Sequence, residues 1–200
     1  MEIVIPTWGE GYNYTINFGD GTVNTNVTGD ISHTYAQEGT YNVSISGDFP
    51  RIRFENLYES SQGEFEPQLK SIEQWGDIEW QSMENAFKGC LYLRINATDN
   101  PDLSQVTDMS NMFNKCIHLN NNINDWDVSN VTNMSKMFGV EDLNSSTIAY
   151  FNQPLNNWDV SNVTNMNAMF DNCARFNRSL NNWNFKCHLY DFYVSGCKVI

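Results

Sequence analysis

FNQPLNNWDVSNVTNMNAMFDNC, residues 151–173, is the stretch on which the reading of this chain turns, because shorter spellings of it recur upstream. VTNMNAMF at 163–170 returns as VTNMSKMF at 131–138 and as VTDMSNMF at 106–113, and WDVSN stands before the later two copies at 126–130 and 158–162. The copies lie 25 and then 32 residues apart. A degenerate copy, WGDIEWQSMENAF at 75–87, places Met83, Ala86 and Phe87 26 residues ahead of Met109, Met112 and Phe113. A fixed period of this length means that each unit cannot bury its apolar face alone and must stack it on a neighbour.

Inside each unit the apolar residues fall at i, i+3, i+4 and i+7: Met83, Ala86, Phe87 and Cys90, then Met109, Met112, Phe113 and Cys116, and later Met166, Met169, Phe170 and Cys173. That spacing predicts one face of a short helix. Thr107, Asp108, Thr132, Asn133 and Thr164 precede these faces, where a side-chain oxygen can cap a first-turn amide. LNNNINDWDV (119–128) and QPLNNWDV (153–160) are too short and too rich in Asn for a second long helix, and read as a short strand with tight turns. The expected fold class is therefore α/β: a leucine-rich-repeat-like solenoid of about four 25-residue coils, each one strand and one short helix.

The spelling WDVSNVTNMxxMF resembles the bacterial surface protein 26-residue repeat of BspA-like leucine-rich-repeat surface proteins, and the resemblance covers roughly residues 69–185. It implies a surface protein whose relatives are linked to adhesion and protein binding, with no assigned catalysis and no agreed binding motif. Seven extra residues in the third unit, within GVEDLNSSTIAYF (139–151), must bulge from the coil edge; a binding loop and drift at a tolerant edge both fit.

The first 50 residues have a different rhythm. YNYTINF (12–18) alternates apolar and polar residues, FGDGT (18–22) supplies a tight turn, and GTYNVSISG (39–47) alternates again, so a small antiparallel β unit is expected. FGDGT, ISHTY and GTYNVSISG together resemble a polycystic-kidney-disease-type (PKD) β-sandwich domain over residues 12–47. Laid over the first coil, such a unit would cover apolar surface. The expected organisation is a PKD-like β segment acting as N-terminal cap (1–54), an acidic linker (55–68), a repeat solenoid (69–183) and a C-terminal cap (184–200).

Twenty-four acidic against 11 basic residues give a net charge of −13, a surface that repels phosphate backbones and anionic headgroups. Nucleic acid and membrane insertion are accordingly not expected, and the absence of a long apolar window argues the same for the membrane. The opening MEIVIPTWGEG lacks a secretory layout, so the expected extracellular or cell-surface location would need a signal or anchor outside this sequence. Of five cysteines, Cys90, Cys116 and Cys173 share one repeat position and read as a buried column, while Cys187 and Cys197 are the candidate disulfide. No metal is expected: Cys187, His188 and Cys197 lack zinc spacing, and Asp20, Asp127 and Asp159 are explained as turn caps. No cofactor and no enzymatic activity are expected, since no nucleophile, base or phosphate-binding motif converges.

Recognition of a protein or glycan partner is the expected function. Trp126, Trp158 and Trp183 recur in register and form either an exposed aromatic platform or core. Asn124, Asn156 and Asn181 stand two residues before each Trp, and Asp127 and Asp159 directly follow the first two; these eight residues are the candidate binding set. The Asn side chains either face a ligand or satisfy turn backbone. An architectural spacer, or a carbohydrate-binding accessory module with exposed Trp side chains, are the alternatives.

Overall fold

The computed structural model of the chain describes residues 1–54, 69–140 and 148–183. The expected linker, the C-terminal cap with Cys187 and Cys197, and residues 141–147 of the inserted stretch lie outside the described residues.

The N-terminal unit is antiparallel β, as the alternation implies. β1 (Glu2–Ile5) pairs with β4 (Ile31–Thr34), and β2 (Asn13–Asn17) lies between β3 (Val23–Val27) and β5 (Ser44–Asp48). Alternation works by pointing Tyr14 and Ile16 inward, fully buried, while Asn13 and Asn17 face solvent. The turn after Phe18 closes when Phe18 N–H donates to Thr22 O at 3.0 Å and Asp20 Oδ1 accepts from Thr22 N–H at 2.9 Å. Gly19 is required there: φ is +80°, and a Cβ would sit 2.5 Å from Asn42 O. β1, outside the segment on which the sequence resemblance rested, enlarges this unit to residues 2–48.

In the repeats the expected helices do not form; among the described residues there is no α-helix, which corrects the α/β expectation. Two very short strands, β6 (Ser71–Ile72) and β7 (Arg94–Ile95), pair in parallel, and isolated parallel bridges join Glu79 to Asp102, Asp108 to Asn133 and Asn133 to Asn165 among turns and irregular chain. The reason lies in where the amides go. Met83, Asn85, Phe87 and Gly89 donate to Asp108, Ser110, Met112 and Asn114 carbonyls of the next repeat at 2.7–3.0 Å. The residues between them turn back on their own repeat, as in Ala86 N–H to Met83 O and Cys90 N–H to Phe87 O. The same alternation links 109–115 to 133–139 and 134–140 to 165–171. A helix would keep every one of these bonds within its own segment.

The backbone enforces this choice at two positions. Asn85, Asn111, Lys136 and Ala168, equivalent in the four repeats, all take left-handed φ of 53–55°. The second position is Gly89, Lys115 and Asn172 in three of the repeats, with φ of 80°, 63° and 56°. A left-handed residue cannot continue a right-handed helix, and Asn adopts that conformation at least cost after Gly. The apolar positions still turn inward: Met83, Met109, Met134 and Met166 are buried, and Phe87, Phe113, Phe138 and Phe170 stack with centroids 5.5–5.9 Å apart. The expected caps divide. Asp108 and Asn133 accept the amides of Ser110 and Ser135, whereas Thr132 and Thr164 donate their hydroxyls across repeats to Thr107 O and Thr132 O.

The two halves share one interior. Phe49 meets Trp80 edge-on at 6.2 Å, Gln81 N–H donates to Pro50 O at 2.9 Å, and Arg51 Nη2 donates to Gln81 Oε1 at 2.6 Å.

Ala168 carries the left-handed cost, about 1–2 kcal/mol, without the polar side chain that eases it in Asn. Ala168→Asn should therefore stabilise the chain by about 0.5–1 kcal/mol, relieving part of that cost. Urea unfolding at equilibrium measures it; an unchanged or lower midpoint would mean that the turn is not left-handed in solution.

Candidate functional site

The tryptophan column is interior, which removes the exposed platform from the expected binding set. Trp126, Trp158 and Trp183 are 4%, 3% and 6% exposed. Trp158 Nε1 donates to Ile123 O at 2.9 Å and Trp183 Nε1 to Leu155 O at 2.8 Å, each satisfying a carbonyl of the preceding repeat. Trp126 packs edge-on against Trp75 at 5.4 Å. Rings so placed offer no exposed platform to a ligand.

The polar members of the set serve the backbone in part. Asp127 Oδ1 and Asp159 Oδ1 accept the amides of Ser129 and Ser161 at 3.1 and 3.0 Å. The Ser129 hydroxyl and amide together hold the Asp127 carboxyl below its ordinary range. Asn124 Oδ1 accepts Asn157 N–H at 3.1 Å from the next repeat. Other asparagines do the same: Asn121 both donates to Ile95 O and accepts from Ile95 N–H, and Asn130 and Asn162 donate to Ser104 O and Ser129 O. Asn156 and Asn181 are exposed, and with Pro154, Arg178, Ser179 and Asn182 they line an open cleft of about 340 Å³.

The cysteine column is also interior. Cys90, Cys116 and Cys173 are buried free thiols, and Cys116 Sγ and Cys173 Sγ donate to Phe87 O and Phe138 O at 3.0 and 3.1 Å. Burial pushes the Cys90 and Cys116 thiols up, away from the thiolate that nucleophilic or metal chemistry needs. Among the described residues no three His, Cys, Asp or Glu side chains converge on a point that could hold a metal. Asp20 is committed to its turn and to His33, whose Nε2 lies 2.7 Å from Asp20 Oδ2.

What the repeats do present to solvent is a row of aromatic rings. Tyr92, 50% exposed, stacks on His118 with centroids 5.0 Å apart and planes 11° from parallel. His118 stacks in turn on Tyr150, 37% exposed, at 5.2 Å and 12°. Lys70 Nζ stands 5.6 Å from the Tyr92 centroid and Arg175 Cζ 4.1 Å from that of Tyr150. The backbone keeps the rungs in register: His118 N–H donates to Leu91 O at 3.0 Å and Tyr150 N–H to Ile117 O at 2.9 Å.

This row had a sequence signal that the apolar periodicity hides. Tyr92, His118 and Arg175 each stand five residues after the column phenylalanine, at Phe87, Phe113 and Phe170. In the third repeat the seven-residue insertion moves the rung to Tyr150, 12 residues after Phe138. The inserted stretch thus ends on a rung. A column mixing Tyr, His and Arg has no common hydropathy, so only the stacking shows it to be one feature.

Both parts of the chain match families typical of surface proteins. The PKD domain model matches residues 2–48. The family model described as "Mycoplasma protein of unknown function, DUF285" matches residues 81–192, more than half of the chain, and the chain belongs to that family. It is a surface-repeat family related to the BspA-like leucine-rich-repeat proteins. No curated protein and no solved structure gives a significant match.

Two outcomes follow from this chemistry. Trp158→Ala should destabilise the chain by about 3–5 kcal/mol in urea unfolding, as a buried Trp truncation does; a loss of binding with stability intact would put the ring on the surface after all. Acid should also weaken the fold. Desolvation acts to raise the Asp99 pKa, but the amides of Gly76 and Trp75 outweigh it and hold the carboxyl low, and the Ser104 amide lowers that of Asp102. A depressed folded pKa stabilises above the unfolded carboxyl value and is lost as pH falls through the folded one. The melting temperature should therefore drop below about pH 4, where free Asp carboxyls titrate, and drop less steeply in Asp99→Asn.

Proposed function

We propose that this chain is a non-catalytic recognition module of a cell surface. In this reading the laterally bonded repeats form a leucine-rich-repeat-like solenoid, the PKD domain caps its first coil, and a protein or glycan partner binds along the Lys70–Tyr92–His118–Tyr150–Arg175 row. The observation that carries it is the exposure of that row. The other repeat aromatics described here are buried in register, whereas these rings cross three repeats on the solvent side. Aromatic residues and Arg are enriched where surfaces bind, because they offer large contact area at low entropic cost. Continuous stacking over several coils also gives one extended surface, which is how stacked-repeat proteins engage partners.

The contacts between Pro50, Arg51 and Phe49 on one side and Trp80 and Gln81 on the other favour the cap role for the PKD domain. The cap would shield the edge of the first described repeat, whose Gln81 amide donates to Pro50 O.

Labelled full-length chain applied to an array of glycans and extracellular-matrix proteins tests this reading. Saturable binding should appear at micromolar concentration or tighter and fall at least tenfold in Tyr92→Ala, Tyr150→Ala, whose exposed side chains can be removed with the fold intact by circular dichroism. Binding that the double variant leaves unchanged would move the site elsewhere, with the Asn156–Asn181 cleft the next place to test. A blank array would favour an architectural spacer.

A further inference from the structure

Resting on that recognition reading, we propose that the aromatic row takes a sparsely carboxylated polysaccharide chain, one bearing a carboxylate on about every second sugar and no dense sulfation. The argument starts from which parts of the rings remain available. Tyr92 has Lys70 on one side and His118 on the other, His118 lies between the two tyrosines, and Tyr150 has Arg175 on its outer face. Each ring is therefore flanked by its neighbours in the row. These neighbours compete with a sugar's C–H face and with a cationic ligand for the same rings.

What the row turns outward is ring edges, which carry the positive end of the aromatic quadrupole, together with phenol O–H and imidazole groups. An ammonium and a guanidinium close its two ends. Such a strip is rich in donors and locally positive on a chain of net charge −13. It complements a ligand rich in acceptor oxygens that carries well-separated negative charges. The surrounding acidic surface repels a densely charged polymer and tolerates a sparse one.

Spacing separates a polysaccharide from an acidic peptide. The rungs repeat at 5.0 and 5.2 Å, close to the length that one pyranose adds to an extended β-linked chain. An extended peptide puts side chains on one face every ~6.8 Å, twice its rise per residue, and falls out of step by the second rung. Lys70 and Arg175 stand four repeat steps apart, roughly 20 Å if each coil adds one strand spacing, which is the span of about four sugars. Arg175 can grip a carboxylate through two parallel N–H bonds, while Lys70 acts as a point charge.

The test is titration of full-length chain by calorimetry with four probes: hyaluronan oligosaccharides, neutral N-acetylglucosamine oligosaccharides of equal length, poly-glutamate and heparin. The hyaluronan oligosaccharide is expected to bind and to weaken as salt rises. It should lose about tenfold or more in Lys70→Gln, Arg175→Gln, which removes both charge-assisted contacts, and lose similarly in Tyr92→Ala, Tyr150→Ala. Equal affinity for the neutral sugar would overturn the role of charge. Preference for poly-glutamate or heparin over hyaluronan would overturn the choice of a sparse polysaccharide. If none of the four binds while an array protein still binds through Tyr92 and Tyr150, this proposal fails and the recognition reading stands; if the array is blank as well, both fail.

Discussion

Lateral backbone hydrogen bonding between aligned segments of successive repeats is the constraint on which the rest of this structure depends. Every second amide from Met83 to Gly89, from Met109 to Lys115 and from Met134 to Val140 donates to the next repeat. Each repeat therefore leaves carbonyls that only an in-register neighbour can satisfy, and burying them unsatisfied would cost about 1–3 kcal/mol apiece. Register is set at this level, and columns of like residues follow from it. Phenylalanines stack on phenylalanines, cysteine thiols reach a carbonyl one repeat back, and indole N–H groups do the same.

Side chains extend the same principle outward. A stacked array with little strand structure exposes many turn carbonyls, and the Asn-rich spelling of the repeats answers that need. Asn130 and Asn162 bridge to Ser104 O and Ser129 O, Asn172 to Val140 O, and Asn121 forms a two-bond clasp with Ile95. An amide side chain carries both a donor and an acceptor on a short stem, so it can stand in for a peptide group where no strand is available. Most asparagines in the repeats are thereby spent on cohesion, while the Tyr–His–Tyr row stacks across three repeats on the solvent side.

Much of this was legible in the residues. The alternation of YNYTINF and the Gly-Asp-Gly turn announced β2 and its hairpin, and the recurrence of Met, Phe and Cys identified a buried column before any coordinates. The helix expectation went astray for an identifiable reason. Spacing at i, i+3, i+4 and i+7 is what a helix buries, but successive three-residue turns return the chain to the same side at the same intervals. Periodicity reports which side faces inward and not which partner takes the amide. One recurrent left-handed position, Asn in the first two repeats, was a local clue, obscured by Lys136 and Ala168 in the others.

Sequence alone determined the repeat, its period, the buried columns and the β character of the first 50 residues, because these depend on local patterning and on the hydrophobic effect. Tertiary structure alone decided that the repeats hold one another through shared amides, that the tryptophans are interior, and that Tyr92, His118 and Tyr150 form one row. Those features require knowing which residues of different repeats lie side by side. That register is a property of bonds between segments 25 to 32 residues apart, and no single segment encodes it.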